Sequence, residues 1–86
     1  MRCVVEDKSG EGLESFLGKP IAIYCLNYIY SGTLTGINTT CVRLSAASIV
    51  YETGPFDEPG WKDSQLLPGD NHYVQLSAIE SFGGVK

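Results

Sequence analysis

The side chains of this chain that could act as nucleophiles or bind metal ions most readily are its thiols and its single imidazole. Its three cysteines, Cys3, Cys25 and Cys41, are an odd number without CxxC spacing, so they indicate neither a disulfide framework nor a zinc site. Cys25 and Cys41 lie in apolar stretches, which predicts buried thiols in a reducing compartment. We therefore expect no metal ion, no other cofactor and a cytoplasmic protein.

The remaining polar residues do not indicate an enzyme active site. His72 is the only histidine, and no local motif pairs it with a serine or cysteine nucleophile. Half of the ten carboxylates fall in residues 52–71, where solvated charges are the ordinary case. The glycines at 10, 12, 83 and 84 lack the strand–loop–helix context of a phosphate-binding loop. We expect a protein that is not an enzyme.

The overall charge narrows the choice of partners. Six basic and ten acidic residues give a net charge of −4. Lys and Arg supply most nucleic-acid affinity by neutralising phosphates, so this charge disfavours RNA as a partner, although a local basic patch could still bind it. No apolar run reaches the length of a membrane span, and we expect no membrane association.

The start of the chain combines a leader with a short apolar repeat. Residues 1–10 are interpreted as the leader. The i, i+3, i+4 spacing of Leu13, Phe16 and Leu17 places three apolar side chains on one helix face. Gly18 is a typical helix end. The spacing predicts a helix over 11–17 that covers part of an apolar core.

From Ile21 onwards the apolar period changes from the helical repeat to two, which is typical of strands. We expect the first three strands within 18–51. Gly32 falls in the middle of the second of these strands. Glycine at such a position permits a sharp bend or a close backbone approach, which small barrels need.

The next stretch changes character. Residues 52–71 contain three prolines, three glycines and five acids, which predicts a long acidic loop. Its aromatic residues, Phe56 and Trp61, either pack back onto the domain or anchor a protein partner. Strand character returns over 72–82, where we expect strands four and five, and residues 83–86 form a tail. The whole chain, 1–86, is expected to be one domain.

Two runs of the sequence resemble the Sm-like family of small β-barrels. GKPIAIYCLNYIYSGTLTGINTTCVRL (18–44) is similar to the first Sm motif, with its aromatic-x-Gly-x-Leu strand and the turn that follows. HYVQLSAIESF (72–82) is similar to the second motif, and most of all to its Hfq branch. The resemblance implies an all-β fold, in which a short N-terminal helix precedes a five-stranded, strongly bent SH3-like barrel. The acidic loop would stand before the last two strands.

The resemblance also implies an assembly. Family subunits join edge to edge, the fourth strand of one with the fifth of the next, into rings of six or seven. The residues expected at this subunit interface are Tyr73, Val74, Leu76, Ile79 and Phe82. The exposed edge of a short terminal strand favours the same outcome independently, because ring closure removes every free edge.

RNA contacts carry over from the family only in part. The family's pore binds uridine-rich RNA, and the matching positions here are Asn38, Thr40 and Ser77. Asn38 could hydrogen-bond a base edge, but Thr40 has no ring for base stacking, which is worth roughly 1–3 kcal/mol per base. Leu76 and Ser77 replace the Lys-His pair of the Hfq branch, so the expected positive charge is missing.

Three hypotheses for the function follow. The first is a ring-forming Sm-like module for assembly or interaction, a homo-hexamer or homo-heptamer whose protein partner the sequence does not identify. The second is a single-stranded RNA-binding protein that uses the ring pore. The third is a monomeric small barrel that serves as a structural subunit of a larger complex.

Overall fold

The computed structural model describes residues 12–85, and they form an all-β fold. The fold has six strands, and two stretches form single turns of 3₁₀ helix, Leu13–Phe16 and Leu76–Ala78. The longest connection, residues 53–62, lies between the third and fourth strands. The strands are β1 (Pro20–Cys25), β2 (Ile29–Ile37), β3 (Cys41–Glu52), β4 (Asp63–Leu66), β5 (Asn71–Gln75) and β6 (Ile79–Gly83). Within residues 12–85, no helix is long and apolar enough to cross a membrane.

All pairings in the sheet are antiparallel, and β3 is its longest member. The order of strands is β4-β3-β2-β1-β6, and β5 lies beside β4 along the same side of β3. The first half of β3 pairs with β5 and the second half pairs with β4. Ala46 stands between the two halves with a φ of 50°. This left-handed residue marks the point where β3 changes its partner strand.

The β2–β3 ladder is irregular at Gly32, where a bulge bends the paired strands. The β2–β3 register shifts between Ser31 and Thr33, next to the glycine. A Cβ atom at Gly32 would lie 2.9 Å from the carbonyl oxygen of Ser45 and 3.1 Å from the Cα of Ala47. Both neighbours are main-chain atoms and cannot rotate away. The close backbone approach predicted for Gly32 is confirmed.

The core lies inside the bend and is built from the alternating residues of four strands. Its buried members are Ile21, Ile23, Leu34, Val42, Leu44, Ala47 and Val74. Leu13 and Phe16 pack against this cluster from the N-terminal turn. The apolar alternation in β1 therefore places Ile21 and Ile23 in the core, as the sequence predicts. The N-terminal turn covers apolar surface, as the spacing of its residues indicates.

The helix predicted over 11–17 is wrong in its extent. Residue 11 lies outside the described residues, and only Leu13–Phe16 forms a turn, of the 3₁₀ type. Gly12 and Gly18 both have positive φ angles, 66° and 79°, and confine the turn to four residues. An isolated α-helix of this length is unstable because its nucleation is unfavourable. The tighter 3₁₀ turn forms here because its side chains pack on the core.

The expected number of strands is also wrong, because the predicted loop 52–71 contains β4. All four residues of β4 are exposed, so their side chains carry no apolar pattern that could reveal a strand. Main-chain pairing with Ser48–Glu52 of β3 defines this strand instead. The sheet thus has six strands where five were expected.

The sheet is open where the sequence predicts a closed one. Within residues 12–85, β5 pairs only with β3 and β6 pairs only with β1. The 3₁₀ turn Leu76–Ala78 joins β5 to β6 without pairing them. Each of the two strands therefore keeps one free edge in the single chain.

Candidate functional site

The free edge of β5 presents main-chain donors and acceptors to its surroundings. The N–H of Leu76 donates to the carbonyl oxygen of Thr40 at 2.8 Å, on the β3 side. Residues of an antiparallel strand alternate in the direction of their N–H and C=O groups. Those of Val74 therefore face β3, whereas those of Tyr73 and Gln75 point away from it. An added strand could pair with these two residues.

A cleft of about 470 Å³ runs beside this edge. One wall is the β1–β2 turn, and the other is β5 with the 3₁₀ turn after it. The lining residues are Cys25, Leu26, Asn27, Tyr28, Tyr30, His72, Tyr73, Val74, Gln75, Ser77 and Ala78. Since the cleft follows a strand edge, its shape fits an extended chain segment.

Aromatic rings line one end of the cleft. Tyr30 stacks on His72, with ring centroids 5.3 Å apart and planes 30° apart. Tyr28 meets Tyr30 edge to face at 6.5 Å. Such contacts fix the rings at the cleft wall and leave a broad, rigid apolar surface.

Two side chains that line the cleft, those of Cys25 and Tyr30, have pKa values raised by burial. Burial raises the pKa of the Cys25 thiol above its ordinary value. Burial also raises the pKa of the Tyr30 hydroxyl, with smaller contributions from Cys25 and Tyr28. No Asp, Glu, Lys or Arg lines the cleft. The site therefore suits an uncharged, apolar strand rather than an ionic ligand.

The five residues predicted for the subunit interface divide by exposure. Tyr73 is 58% exposed and Phe82 is 39% exposed, so both rings offer contact area. Leu76 and Ile79 are half-buried and pack against the core. The Val74 side chain is 5% exposed and belongs to the core, and the main-chain groups of Val74 face β3, so Val74 offers an added strand no group to pair with. Phe82 also meets Phe16 edge to face at 6.1 Å.

Asn38 organises the β2–β3 turn. Its Oδ1 accepts hydrogen bonds from the N–H of Thr40 at 2.8 Å, the hydroxyl of Thr40 at 3.0 Å and the N–H of Cys41 at 2.8 Å. Both lone-pair directions of the carbonyl are therefore in use inside the chain. Only the two N–H donors of the amide remain for a ligand.

Replacing Asn38 with alanine is expected to destabilise the domain by about 1–2 kcal/mol, because three donors lose their acceptor at an exposed turn. Asn38→Asp keeps the acceptor oxygen and is the matched control, with a smaller expected loss. Thermal unfolding of both variants measures the difference. Equal melting temperatures for Asn38→Ala and the native chain would contradict the role of Asn38 in the turn.

Thr40 and Ser77 line one hollow, and Asn38 lines a different one; their contact with RNA stays a prediction. Thr40 and Ser77 line a hollow of about 570 Å³ that also holds Tyr73 and Gln75. Asn38 lines a neighbouring hollow, of about 260 Å³, together with Arg43 and Tyr73. Both hollows share Cys41 and Tyr73.

Arg43 is a candidate functional residue that sequence reasoning missed. It lies on β3 opposite Tyr73 of β5, and its Nε and Nη2 donate to the Oγ1 and the carbonyl oxygen of Thr35, each at 3.0 Å. The basic residues considered from sequence were those expected in the second motif. An arginine on an outward strand position is ordinarily a solvated surface residue, so the pattern held no signal for it.

The two aromatic residues of the 52–71 stretch differ in exposure. Phe56 is 62% exposed, whereas Trp61 is half-buried in the segment between β3 and β4. Lys62 forms an ion pair with Glu52 at 3.3 Å where this segment returns to β4. An exposed pair of this kind stabilises little. Partner binding by Phe56 and Trp61 stays a prediction.

Metal-ligating side chains do not cluster: residues 12–85 contain no group of three or more His, Cys, Asp or Glu side chains that could hold an ion. Comparisons of the chain with protein-family models, with curated proteins and with solved structures gave no match. The resemblance to the Sm-like family therefore rests on the two sequence runs alone.

Proposed function

We propose that this chain is a self-assembling Sm-like module, whose subunits join by adding β6 of one copy to the free edge of β5 of the next. The main support is the pair of unpaired edges in one open sheet. Each of the two strands is five residues long, so a pairing between them leaves no overhang. Main-chain hydrogen bonds would supply the contact, as in other strand-addition complexes.

The two edges are different surfaces, which decides the symmetry of such an assembly. When one surface of each copy binds another surface of the next, the contact is head to tail. Head-to-tail contacts generate a ring if the rotation closes. The resemblance to the ring-forming Sm-like family favours closure over an open fibre.

The cleft beside β5 provides the side-chain part of the interface. It contains no Asp, Glu, Lys or Arg, and its tyrosines present apolar surface to whatever lies along β5. On β6, Ile79 and Phe82 are apolar, and Glu80 is the one charged residue. Burial of such surfaces contributes roughly 25 cal/mol per Å². Burial of this apolar surface would stabilise a domain of this size, because the core of a small single domain gives it only marginal stability.

Light scattering after size exclusion tests the proposal. We expect a mass six or seven times the 9.3 kDa of one chain at micromolar concentration. A mass near 9.3 kDa over this concentration range would contradict self-assembly and favour a monomeric subunit of a larger complex. The measured mass is expected to change little with salt concentration, because the proposed contact contains no ion pair.

A further inference from the structure

The connection between β3 and β4, residues 53–62, is closed at its base by two contacts. The N–H of Lys62 donates to the carbonyl oxygen of Thr53 at 3.3 Å, and the Lys62 ammonium pairs with the Glu52 carboxylate at 3.3 Å. The antiparallel pairing of Glu52 with Asp63 continues this closure into the sheet. The β3–β4 loop therefore projects from the sheet as a hairpin with a fixed base.

The tip of the β3–β4 loop is a β-turn that presents an aromatic ring. The N–H of Glu58 donates to the carbonyl oxygen of Pro55 at 3.2 Å, so Phe56 and Asp57 occupy the two central positions of the turn. Phe56 is 62% exposed, and Asp57 and Glu58 are exposed as well. A ring at the tip of a loop whose base is fixed offers contact area to a partner at a small cost in conformational entropy.

A second ring lies beside a carboxylate within the same loop. Trp61 and Glu58 line one hollow of about 120 Å³, in which Trp61 is half-buried. Lys62 also lines this hollow, but its ammonium is engaged with Glu52. An indole face attracts a cation, and a carboxylate at the same hollow supplies a charged hydrogen-bond acceptor for it. Trp61 therefore belongs to the wall of a hollow, whereas Phe56 stands at the tip of the loop.

The β3–β4 loop and the residues that close it carry most of the negative charge of the chain. Residues 52–63 contain four carboxylates and one lysine, a net charge of −3, and the whole chain carries −4. Since Lys62 pairs with Glu52, Asp57 and Glu58 have no other basic side chain within 52–63. This charge repels a phosphate backbone or an anionic lipid surface and attracts a basic segment of a protein.

Arginine is the basic residue that fits this combination of groups. Its guanidinium is planar and stacks on aromatic faces, and its fork of N–H donors binds a carboxylate bidentately. The loop supplies both kinds of group within six residues, the rings of Phe56 and Trp61 and the carboxylates of Asp57 and Glu58. The ammonium of lysine is compact and strongly hydrated, and it offers neither the plane nor the fork.

We propose that the β3–β4 loop is a docking site for an arginine-rich segment of a partner protein. One guanidinium stacks on the Phe56 ring and binds the Asp57 carboxylate. A second guanidinium binds the Glu58 carboxylate beside the Trp61 ring. The site uses no residue of β5, of β6 or of the cleft beside β5, so it is independent of the proposed assembly.

Calorimetric titration of the full chain with a capped hexa-arginine peptide at low salt tests this site. We expect saturable binding with a Kd below about 0.5 mM, and weaker binding as salt is added. The chain contains one tryptophan, so a change in its fluorescence emission during the titration reports binding at the loop. Capped hexa-lysine is expected to bind at least about threefold more weakly. Hexa-uridylate, titrated in parallel, is expected to leave the fluorescence unchanged.

Matched variants separate the loop from the general negative charge of the chain. Phe56→Ala is expected to weaken hexa-arginine binding about threefold or more, whereas Phe56→Tyr keeps the ring and should bind like the native chain. Asp57→Asn together with Glu58→Gln is expected to weaken it about tenfold or more. Glu14→Gln together with Asp70→Asn removes the same charge from exposed positions elsewhere, with an expected loss below about twofold. Circular dichroism and light scattering of each variant measure fold and mass.

Several results would overturn the proposal. The first is the absence of saturable hexa-arginine binding up to about 1 mM, or binding without a change in tryptophan emission. The second is native affinity in folded Phe56→Ala or in the folded double variant of Asp57 and Glu58. Equal affinity for hexa-lysine would refute the assignment to arginine, and hexa-uridylate binding that Phe56→Ala weakens would assign the loop to nucleic acid instead. Since mass is measured on the same samples, a failure of assembly is recorded separately from a failure of peptide binding.

Discussion

Gln75→Pro is expected to convert the assembly into monomers of 9.3 kDa while the domain stays folded. Gln75 ends β5 with a φ of −69° and a ψ of 134°. Proline fixes φ near −65°, so the ring fits this backbone without strain. Val74 is in extended conformation within β5, as the residue before a proline prefers.

The effect of this substitution follows from the direction of one N–H group. By the alternation of the β3–β5 ladder, the N–H of Gln75 points to the free edge and not to β3. Proline removes that donor and places its ring where a neighbouring strand would lie. The intramolecular sheet loses no hydrogen bond, but an added strand loses one and meets a steric obstacle.

Gln75→Ala is the matched control, because it removes the same side chain and keeps the N–H. We expect it to assemble like the native chain. Size exclusion with light scattering measures the masses, and far-UV circular dichroism measures retention of the sheet. If folded Gln75→Pro kept the native mass, the edge of β5 would not be the contact, and the proposed strand addition would be refuted.

Gly32→Ala is expected to lower the free energy of unfolding by about 2–3 kcal/mol, the range of an overpacked core. The added Cβ would lie 2.9 Å from a carbonyl oxygen and 3.1 Å from a Cα, and both belong to β3. Relief requires β2 and β3 to move apart at the bend, which loosens the packing of Leu34 and Leu44 between them. For a domain of this size the loss corresponds to roughly 10–20 °C in Tm.

Gly84→Ala serves as the control for Gly32→Ala. A Cβ atom at Gly84 has no heavy atom within 4 Å, and its φ does not fall in the left-handed range. Its Tm should stay within about 2 °C of the native value. Both variants are compared at one protein concentration, since assembly raises Tm by mass action. Equal Tm values for the two variants would mean that the bend tolerates a side chain at residue 32.

The positions of the strands that form the core followed from sequence because their pattern is local. Alternation at Ile21 and Ile23 places both side chains on one face, whatever the rest of the chain does. Gly32 was informative for a similar reason. A glycine in the middle of an apolar strand weakens the strand. Its presence there therefore often indicates that another backbone segment lies too close to leave room for a side chain.

Segments whose structure depends on distant partners were not predictable in the same way. Asp63–Leu66 has no apolar alternation, and only the length of β3 beyond Ala46 makes it a strand. The N-terminal spacing predicts a helix, but the short stretch between two glycines of positive φ, Gly12 and Gly18, permits only the 3₁₀ turn Leu13–Phe16. Here the tertiary contact decided the conformation, because local propensity was too weak to do so.

Residue patterns alone predict an all-β chain, a core of alternating strand residues and a close backbone approach at Gly32. The open sheet between β5 and β6 and the position of Arg43 beside Tyr73 emerge only from the folded arrangement of the strands. Both depend on pairings between strands that are far apart in the chain, such as Arg43 with Tyr73 and Ala22 with Gly83. Periodicity reports the face that a side chain occupies, whereas register, set by bulges and turns, decides which side chains become neighbours.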